Sequence, residues 1–238
     1  MLALLTTIPI WVTGALLRRP ATWLWFLTGL AFWPLIVRFS GLGLTTTEGA
    51  LIASVYEAAF ISIQVGGILG LGLLDRNSNL LLRTGQARRL LAECLGFTTA
   101  CLLAVAASLI TPAALGLVTA ELQLARLPLH LTAALSSYVL IAMVVLHLPL
   151  GRWTRTALLP FLTWFLPALI LPNTGLSHWI QRVFGIASRL LPDEIHSQGL
   201  VSSPWNGVIG LLTLLGWALL AWVTIPSHAR EYALRDPR

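Results

Sequence analysis

Residues Ala50–Leu74 read ALIASVYEAAFISIQVGGILGLGLL and contain one charged side chain, Glu57. A helix needs about 20 apolar residues to cross a hydrocarbon core roughly 30 Å thick, so this segment predicts a transmembrane helix. Five more apolar segments occur along the 238 residues. One of them, Thr156–Leu171, is short for a full crossing of the membrane. The predicted spans are Ala21–Ser40, Ala50–Leu74, Cys94–Val118, Leu129–Leu150, Thr156–Leu171 and Pro204–Ile225.

The chain is therefore predicted to be an all-α, polytopic membrane protein that forms one transmembrane domain. Its mean hydropathy is +0.83, and no segment between spans is long enough for a soluble catalytic domain. The expected layout is an interfacial helix in 1–19, spans one and two in 21–74, a cytoplasmic segment in 75–93, spans three to five in 94–171, an outer-side helical link in 172–203, span six in 204–225 and a cytoplasmic tail in 226–238.

The first segment, Leu2–Leu17, is apolar and is followed by Arg18 and Arg19. A secretory signal would place its charge first and end in a cleavage site of small residues, which is the reverse order. We interpret Leu2–Leu17 as a helix that lies on the membrane surface and is broken near Pro9.

All fifteen basic residues are arginine, and the absence of lysine excludes two mechanisms. A nucleotide-binding P-loop requires a lysine, and so does a Schiff base with retinal or pyridoxal phosphate. If ATP drives this protein, ATP and magnesium must therefore bind to another subunit. The net charge of +6 does not indicate nucleic acid, because the arginines follow the links between spans.

The arginines are unevenly divided between the two sides of the predicted membrane domain. With the N-terminus inside, eleven lie on the cytoplasmic side and four on the other, as the positive-inside rule requires. Both termini are therefore predicted to be cytoplasmic. The inner set is Arg18, Arg19, Arg76, Arg83, Arg88, Arg89, Arg152, Arg155, Arg230, Arg235 and Arg238, and the outer set is Arg38, Arg126, Arg182 and Arg189.

The cytoplasmic segment Asp75–Glu93 reads DRNSNLLLRTGQARRLLAE and is longer than a turn between two helices requires. Its leucines alternate with charges as in a short amphipathic surface helix, which Gly85 interrupts. Such a helix could dock a partner subunit. Alternatively, the segment is a solvated loop held near the membrane by anionic lipids, and the residues alone favour neither interpretation.

Glu57 lies about 10 Å into the second predicted span at the helical rise of about 1.5 Å per residue, and Gln64 lies on the same face. An ionisable side chain at that depth must face protein or water. Both residues are candidates to line or gate a substrate path, or alternatively Glu57 holds helices together through hydrogen bonds. Close helix packing is predicted by the small residues Gly66, Gly67, Gly70 and Gly72.

No catalytic centre, metal site or cofactor is predicted for this chain. The five histidines lack the close spacing of a zinc site, and no G-x-S-x-G motif occurs. Cys94 and Cys101 are seven residues apart on one helix face, which is too far for a disulfide, so we interpret them as core residues. His178–Leu191 has the spacing of an amphipathic outer-surface helix, with a re-entrant course as a further possibility.

Taken in order, these features resemble the membrane subunits of type-2 ABC exporters, the ABC-2 permeases. The chain departs from the family pattern at Ser78-Asn79, where a Gly-Thr step is usual, and at Gly85, where proline is common. The matching features are Arg18-Arg19-Pro20 before a tryptophan-rich first span, Asp75-Arg76 at the end of the second, the coupling-like segment Leu80–Arg89, a short fifth span before outer helices, and Arg230-Glu231-Tyr232 after the last span.

The resemblance implies a permease in the inner (cytoplasmic) membrane of a bacterium. It would pair with a second permease subunit, either an identical copy or a sister chain, and would move a substrate with the help of ATP-binding cassette subunits. The chain itself would not be an enzyme, since ATP and magnesium would bind to the partner. Coupling to the ATPase would involve Asp75, Arg76, Arg83, Thr84, Gly85, Arg88 and Arg89.

A second hypothesis belongs to a different class of protein. The chain could be a membrane scaffold or assembly subunit that does not transport, in which case the same cytoplasmic segment would bind a soluble partner without ATP. A lipid-handling enzyme is a third hypothesis, but it would need a convergent set of acid, base or metal ligands that the sequence lacks. An associated ATPase distinguishes the exporter from the scaffold.

Overall fold

A computed structural model describes residues 2–24, 48–76, 86–114, 127–166 and 211–224. These residues are helical apart from short turns and contain no strand, which confirms the all-α class for this part of the chain. α5 continues directly into a π-helical turn at Phe161–Phe165. The helices are α1 (Leu2–Leu17), α2 (Glu48–Arg76), α3 (Gln86–Ala114), α4 (Leu127–His147), α5 (Arg152–Pro160) and α6 (Leu211–Thr224).

Two of these helices are long and apolar enough to cross a membrane, judged by length and composition. The qualifying segments are Ala58–Arg76 in α2 and Arg88–Ser108 in α3, which overlap the second and third predicted spans. Shorter apolar helices occupy Ala134–His147 and Leu211–Thr224, within predicted spans four and six. Most of the first predicted span and the whole of the outer-side link, 172–203, lie outside the described residues.

α2 and α3 pack closely because glycines of α2 face α3 and α4. A Cβ atom on Gly66 would lie 2.5 Å from the Cα atom of Cys101 and 2.7 Å from the carbonyl oxygen of Ala100. The ring of Tyr138 from α4 occupies the space that a side chain on Gly67 would need. The close packing predicted from the glycine cluster is thus confirmed at these positions.

α1 packs against α3 and α2, and it has the bounds predicted for the N-terminal helix. Val12 and Leu16 are buried with Leu73 and Ala100. The break predicted at Pro9 is absent, because the proline lies inside a continuous helix. An interior proline costs about 3 kcal/mol, and the packing of Val12 and Leu16 against Leu73 and Ala100 opposes this cost. The location of α1 on a membrane surface stays a prediction.

α4 and α5 form a hairpin that returns the chain at the arginine-rich end of the helices. α4 ends at His147, a bend occupies residues 148–150, and the extended backbone of Gly151 precedes the first residue of α5. α5 contacts α2 and α4, and α4 also contacts α3. The ends of α2, α3, α4 and α5 are thereby brought together around several charged side chains.

Candidate functional site

A buried carboxylate, Glu93, connects α3 to the end of α4. Its Oε1 atom accepts a hydrogen bond from Nε of Arg89 at 2.8 Å, within the four-residue spacing that joins neighbours on a helix. Its Oε2 atom lies 2.6 Å from Nε2 of His147, and all three residues are buried. A carboxylate oxygen accepts hydrogen bonds, and an imidazole with its proton on Nε2 would donate one to Oε2 of Glu93.

A second ion pair, Asp75–Arg155, connects the end of α2 to α5. Oδ1 of Asp75 lies 2.8 Å from Nη2 of Arg155, and Nη1 of Arg155 donates to the carbonyl oxygen of Leu146 at 2.6 Å. The Arg155 side chain therefore contacts α2 and α4 from its position in α5. This pair is more accessible than the first, with side-chain exposures of 11% for Arg155 and 17% for Asp75.

An ion pair and a buried hydrogen bond attach the two ends of the predicted coupling segment to the same hairpin. Asp75 is the first residue of the segment and is bound by Arg155, whereas Glu93 is the last and is bound by His147. We refer to these four residues together with Arg89 as the hairpin clamp. A displacement of the segment must either carry the α4–α5 hairpin with it or break the Asp75–Arg155 ion pair and the buried hydrogen bond between Glu93 and His147.

The other predicted coupling residues occupy different environments. Arg76 and Arg88 are exposed near the facing ends of α2 and α3, where a partner could contact them. Arg89 is only 5% exposed and belongs to the hairpin clamp, so its charge is already paired inside the protein. Arg83, Thr84 and Gly85 lie outside the described residues.

Two arginines lie beside Gly72 of α2, and a third, Arg76, is near enough to act on one of them through its charge. A Cβ atom on Gly72 would lie 3.5 Å from Nη2 of Arg152 and 3.9 Å from Nη1 of Arg19. Partial burial lowers the pKa of Arg19, and the positive charges of Arg76 and Arg152 lower it further. Within the described ranges, none of the three forms an ion pair with a carboxylate. We call Arg19, Arg76 and Arg152 the Gly72 arginine cluster.

Gln64 lies deeper in α2 and is bound to the π-helical turn. Its Nε2 atom donates to Oγ1 of Thr163 at 2.8 Å, and the Thr163 hydroxyl is 2.8 Å from the carbonyl oxygen of Leu159. The hydroxyl of Tyr138 donates to the backbone carbonyl of Gln64 at 3.2 Å. Gln64 is 3% exposed and thus joins α2, α4 and the π-helical turn. Its predicted role in a substrate path stays a prediction.

Glu57, the other predicted path residue, lies in α2 two helical turns before Gln64. Its side chain lies outside the described part of the structure, so the two interpretations of this residue both stay open. Among the residues that the structure describes, no group of three or more His, Cys, Asp or Glu side chains is placed to hold a metal ion.

The sequence alone does not single out His147 or Arg155 as site residues. The spacing of Arg89 and Glu93 indicates a possible pair on one helix, and a histidine at the end of an apolar span needs a polar partner. The partners of Asp75 and Glu93 on α5 and α4 depend on how the helices are arranged in space. No periodicity in the sequence encodes that arrangement.

No protein-family model matches this chain, and no curated protein is similar to it. The function must therefore be argued from the geometry of the hairpin clamp and from the order of features along the sequence.

Proposed function

We propose that this chain is the membrane-spanning permease subunit of a type-2 ABC exporter. It dimerises in the bacterial inner membrane and couples ATP hydrolysis on separate ATP-binding cassette subunits to the movement of a substrate across or out of that membrane. The hairpin clamp is the observation that supports this proposal most. A coupling segment needs a mechanical connection to the membrane helices, and the ion pair at Asp75 and the buried hydrogen bond at Glu93 provide one at each end.

Force on the segment would reach two other helices directly. Movement of Asp75 pulls on Arg155, which is bound to both α5 and the last turn of α4. Movement of Glu93 pulls on His147 at the end of α4. The partner subunit would contact the exposed Arg76 and Arg88, while the buried Arg89 keeps Glu93 in place. Docking and transmission are thus assigned to different side chains of one segment.

The exposed apolar surface supports the membrane location of this subunit. α6 presents large apolar side chains over about half of its circumference, at 3.6 residues per turn, and Trp153 at the hairpin is 84% exposed. Contiguous apolar surface of this kind is rare on soluble monomers and suits contact with acyl chains or with a second subunit. In this proposal six spans cross the membrane and both termini are cytoplasmic. The exposed α6 side chains are Leu211, Leu212, Leu215, Leu219, Leu220, Trp222 and Val223.

Co-purification in mild detergent tests the proposal. The tagged chain is expressed in its own host and compared with the double variant Arg76→Ala/Arg88→Ala. The matched control is Arg18→Ala/Arg230→Ala, which removes two predicted cytoplasmic arginines from outside the segment. We expect an ATP-binding cassette ATPase to co-purify with the original chain and the control, and to fall at least tenfold with the double variant.

The scaffold hypothesis makes a different prediction in the same experiment. If no ATPase accompanies the chain and another soluble or membrane protein does, the exporter proposal is wrong and the scaffold hypothesis replaces it. If an ATPase accompanies all three chains equally, the exporter proposal stands but the docking contacts lie elsewhere.

A further inference from the structure

We propose that Arg19 and Arg152, which converge beside Gly72, bind the phosphate group of an anionic membrane lipid. This site is separate from the hairpin clamp, and of the predicted docking residues only Arg76 lies near it. It rests on the membrane location in the proposed function, but it does not depend on an ATPase or on transport.

The geometry brings two guanidinium groups from different helical segments to one point. Nη2 of Arg152, at the start of α5, and Nη1 of Arg19, just after α1, lie 3.5 and 3.9 Å from the position of a Cβ atom on Gly72. Because glycine has no side chain, this side of α2 leaves room for both groups. Charge-assisted N–H···O bonds are about 2.7–2.9 Å long, so the oxygens of one phosphate could accept from both arginines.

The charge balance favours an anion at this point. The two carboxylates described at this end, Asp75 and Glu93, are already paired with Arg155 and with Arg89 and His147. The link between α2 and α3, residues 77–85, contains no acidic residue and adds Arg83. Partial burial lowers the pKa of Arg19 most, and the like charges of Arg76 and Arg152 lower it further because they repel its positive charge. A bound phosphate would remove the repulsion.

The aromatic residues nearby favour a lipid over a soluble phosphate compound. Trp153 follows Arg152 directly and is 84% exposed, and Trp23 lies one helical turn after Arg19 and is 53% exposed. Exposed tryptophans are enriched at the level of lipid headgroups, where an apolar ring contacts acyl chains and a polar edge meets water. Arginines beside such rings match a headgroup phosphate with its acyl chains, and the cytoplasmic leaflet is the anionic one.

The test is lipid binding by the purified chain in a neutral detergent, measured by native mass spectrometry and by thermal unfolding. Phosphatidylglycerol is titrated against phosphatidylcholine as the zwitterionic control. The variant is Arg19→Gln/Arg152→Gln, and the matched control is Arg18→Gln/Arg88→Gln, which removes the same charge from two exposed positions.

We expect phosphatidylglycerol to bind and stabilise the original chain and the control more than phosphatidylcholine does. A basic side chain near a lipid surface contributes about fivefold in affinity, so the Arg19→Gln/Arg152→Gln variant should bind phosphatidylglycerol about 25-fold more weakly. Without lipid, the same variant should unfold at an equal or higher temperature than the original chain, because it lacks the repulsion. If the two arginines had a merely structural role, replacing them would lower the unfolding temperature.

Competition with inorganic phosphate distinguishes the two sources of the phosphate group. If millimolar phosphate does not displace phosphatidylglycerol, the ligand is a lipid, as we propose. If phosphate displaces the lipid from the original chain only, the arginines still form a phosphate site and the natural ligand is soluble. Equal lipid binding by the variant and the original chain, or an equal loss in the Arg18→Gln/Arg88→Gln control, would overturn the proposal.

Discussion

Arg88 and Arg89 are adjacent residues of the same type, yet the structure gives them opposite environments. Arg88 is exposed, whereas Arg89 is buried and bonded to Glu93. Removing one partner of a buried ion pair costs about 3–5 kcal/mol, and His147 still supports Glu93, so Arg89→Gln should lower the free energy of unfolding by about 3 kcal/mol. Arg88→Gln should change it by no more than about 0.5 kcal/mol.

Reversible unfolding by sodium dodecyl sulfate in mixed micelles measures both values. Equal effects of the two substitutions would contradict the buried position of Arg89. The sequence could not have separated these residues, because both belong to a run that reads QARRLLAE and either could face inward. The rotation of α3 about its axis decides which arginine meets His147.

Gly66 tests the close approach of α2 and α3. In Gly66→Ala the new methyl group would meet the backbone at Cys101 and Ala100, which cannot rotate away as a side chain can. Overpacking of a helix interface costs about 1–3 kcal/mol, and we expect Gly66→Ala to lie at the upper end. In Gly14→Ala nothing lies within 4 Å of the methyl group, so this control should gain about 0.5–1 kcal/mol from helix propensity.

The same detergent titration measures the two alanine variants. A Gly66→Ala protein as stable as the original would mean that α2 and α3 do not touch backbone to backbone. The glycine cluster predicted this tight packing correctly. The prediction was possible from the sequence because small residues within an apolar span have few other roles.

At the scale of single elements, the π-helical turn at Phe161–Phe165 offers a test through one hydroxyl. Thr163→Val keeps the shape of the side chain but leaves the buried amide of Gln64 without this partner. An unsatisfied buried donor costs about 1–3 kcal/mol, so we expect a loss of that size from unfolding curves. Thr163→Ser keeps the hydroxyl and should lose less.

The double variant Gln64→Leu/Thr163→Val removes both partners of this hydrogen bond. Its loss of stability should be smaller than the sum of the losses in Gln64→Leu and Thr163→Val, because replacing both polar groups avoids an unpaired donor. Strict additivity would show that Gln64 and Thr163 do not interact. Such a result would also remove the connection between α2 and the π-helical turn.

Hydropathy predicted the bounds of α2 well, whereas α3 begins eight residues before the predicted span Cys94–Val118, and features that depend on distant partners were not predicted. α2 begins and ends within two residues of the predicted span Ala50–Leu74, because charges flank that apolar segment. The continuous α1 was missed at Pro9, since its burial against α3 depends on tertiary packing. The π-helical turn was also unpredicted, because its Thr163 contacts a residue 99 positions earlier.

At the scale of the whole molecule, the proposed function predicts that the hairpin clamp transmits ATP hydrolysis on a partner subunit to the helices of this chain. Asp75→Asn removes the charge that holds Arg155, so under that proposal it should uncouple the chain from its ATPase while leaving the exposed docking residues in place. We expect the ATPase to co-purify as before, and its rate in nanodiscs to change at least threefold relative to the original complex. The exchange Asp75→Arg/Arg155→Asp restores an ion pair and should return part of the original rate.

The same ATPase measurement could also contradict a role of the Asp75–Arg155 pair in coupling. If Asp75→Asn leaves the ATPase rate of the complex unaltered, the ion pair serves stability alone and does not transmit force. The charge exchange separates the two roles, because Asp75→Arg/Arg155→Asp loses the hydrogen bond from Arg155 to the carbonyl of Leu146 and so cannot recover full stability.

The clamp also fixes where the helices can separate. An ion pair and a buried hydrogen bond hold α2 and α3 to the α4–α5 hairpin at this end, and under the proposed function this end would act as a pivot. A small rotation at a pivot produces a larger displacement at the far end of a long helix. At the helical rise of about 1.5 Å per residue, α2 extends about 40 Å from Asp75 to Glu48, and α3 extends about 32 Å from Glu93 to Ala114. A tilt of a few degrees at Asp75 and Glu93 would therefore move the opposite ends of these helices by several ångströms.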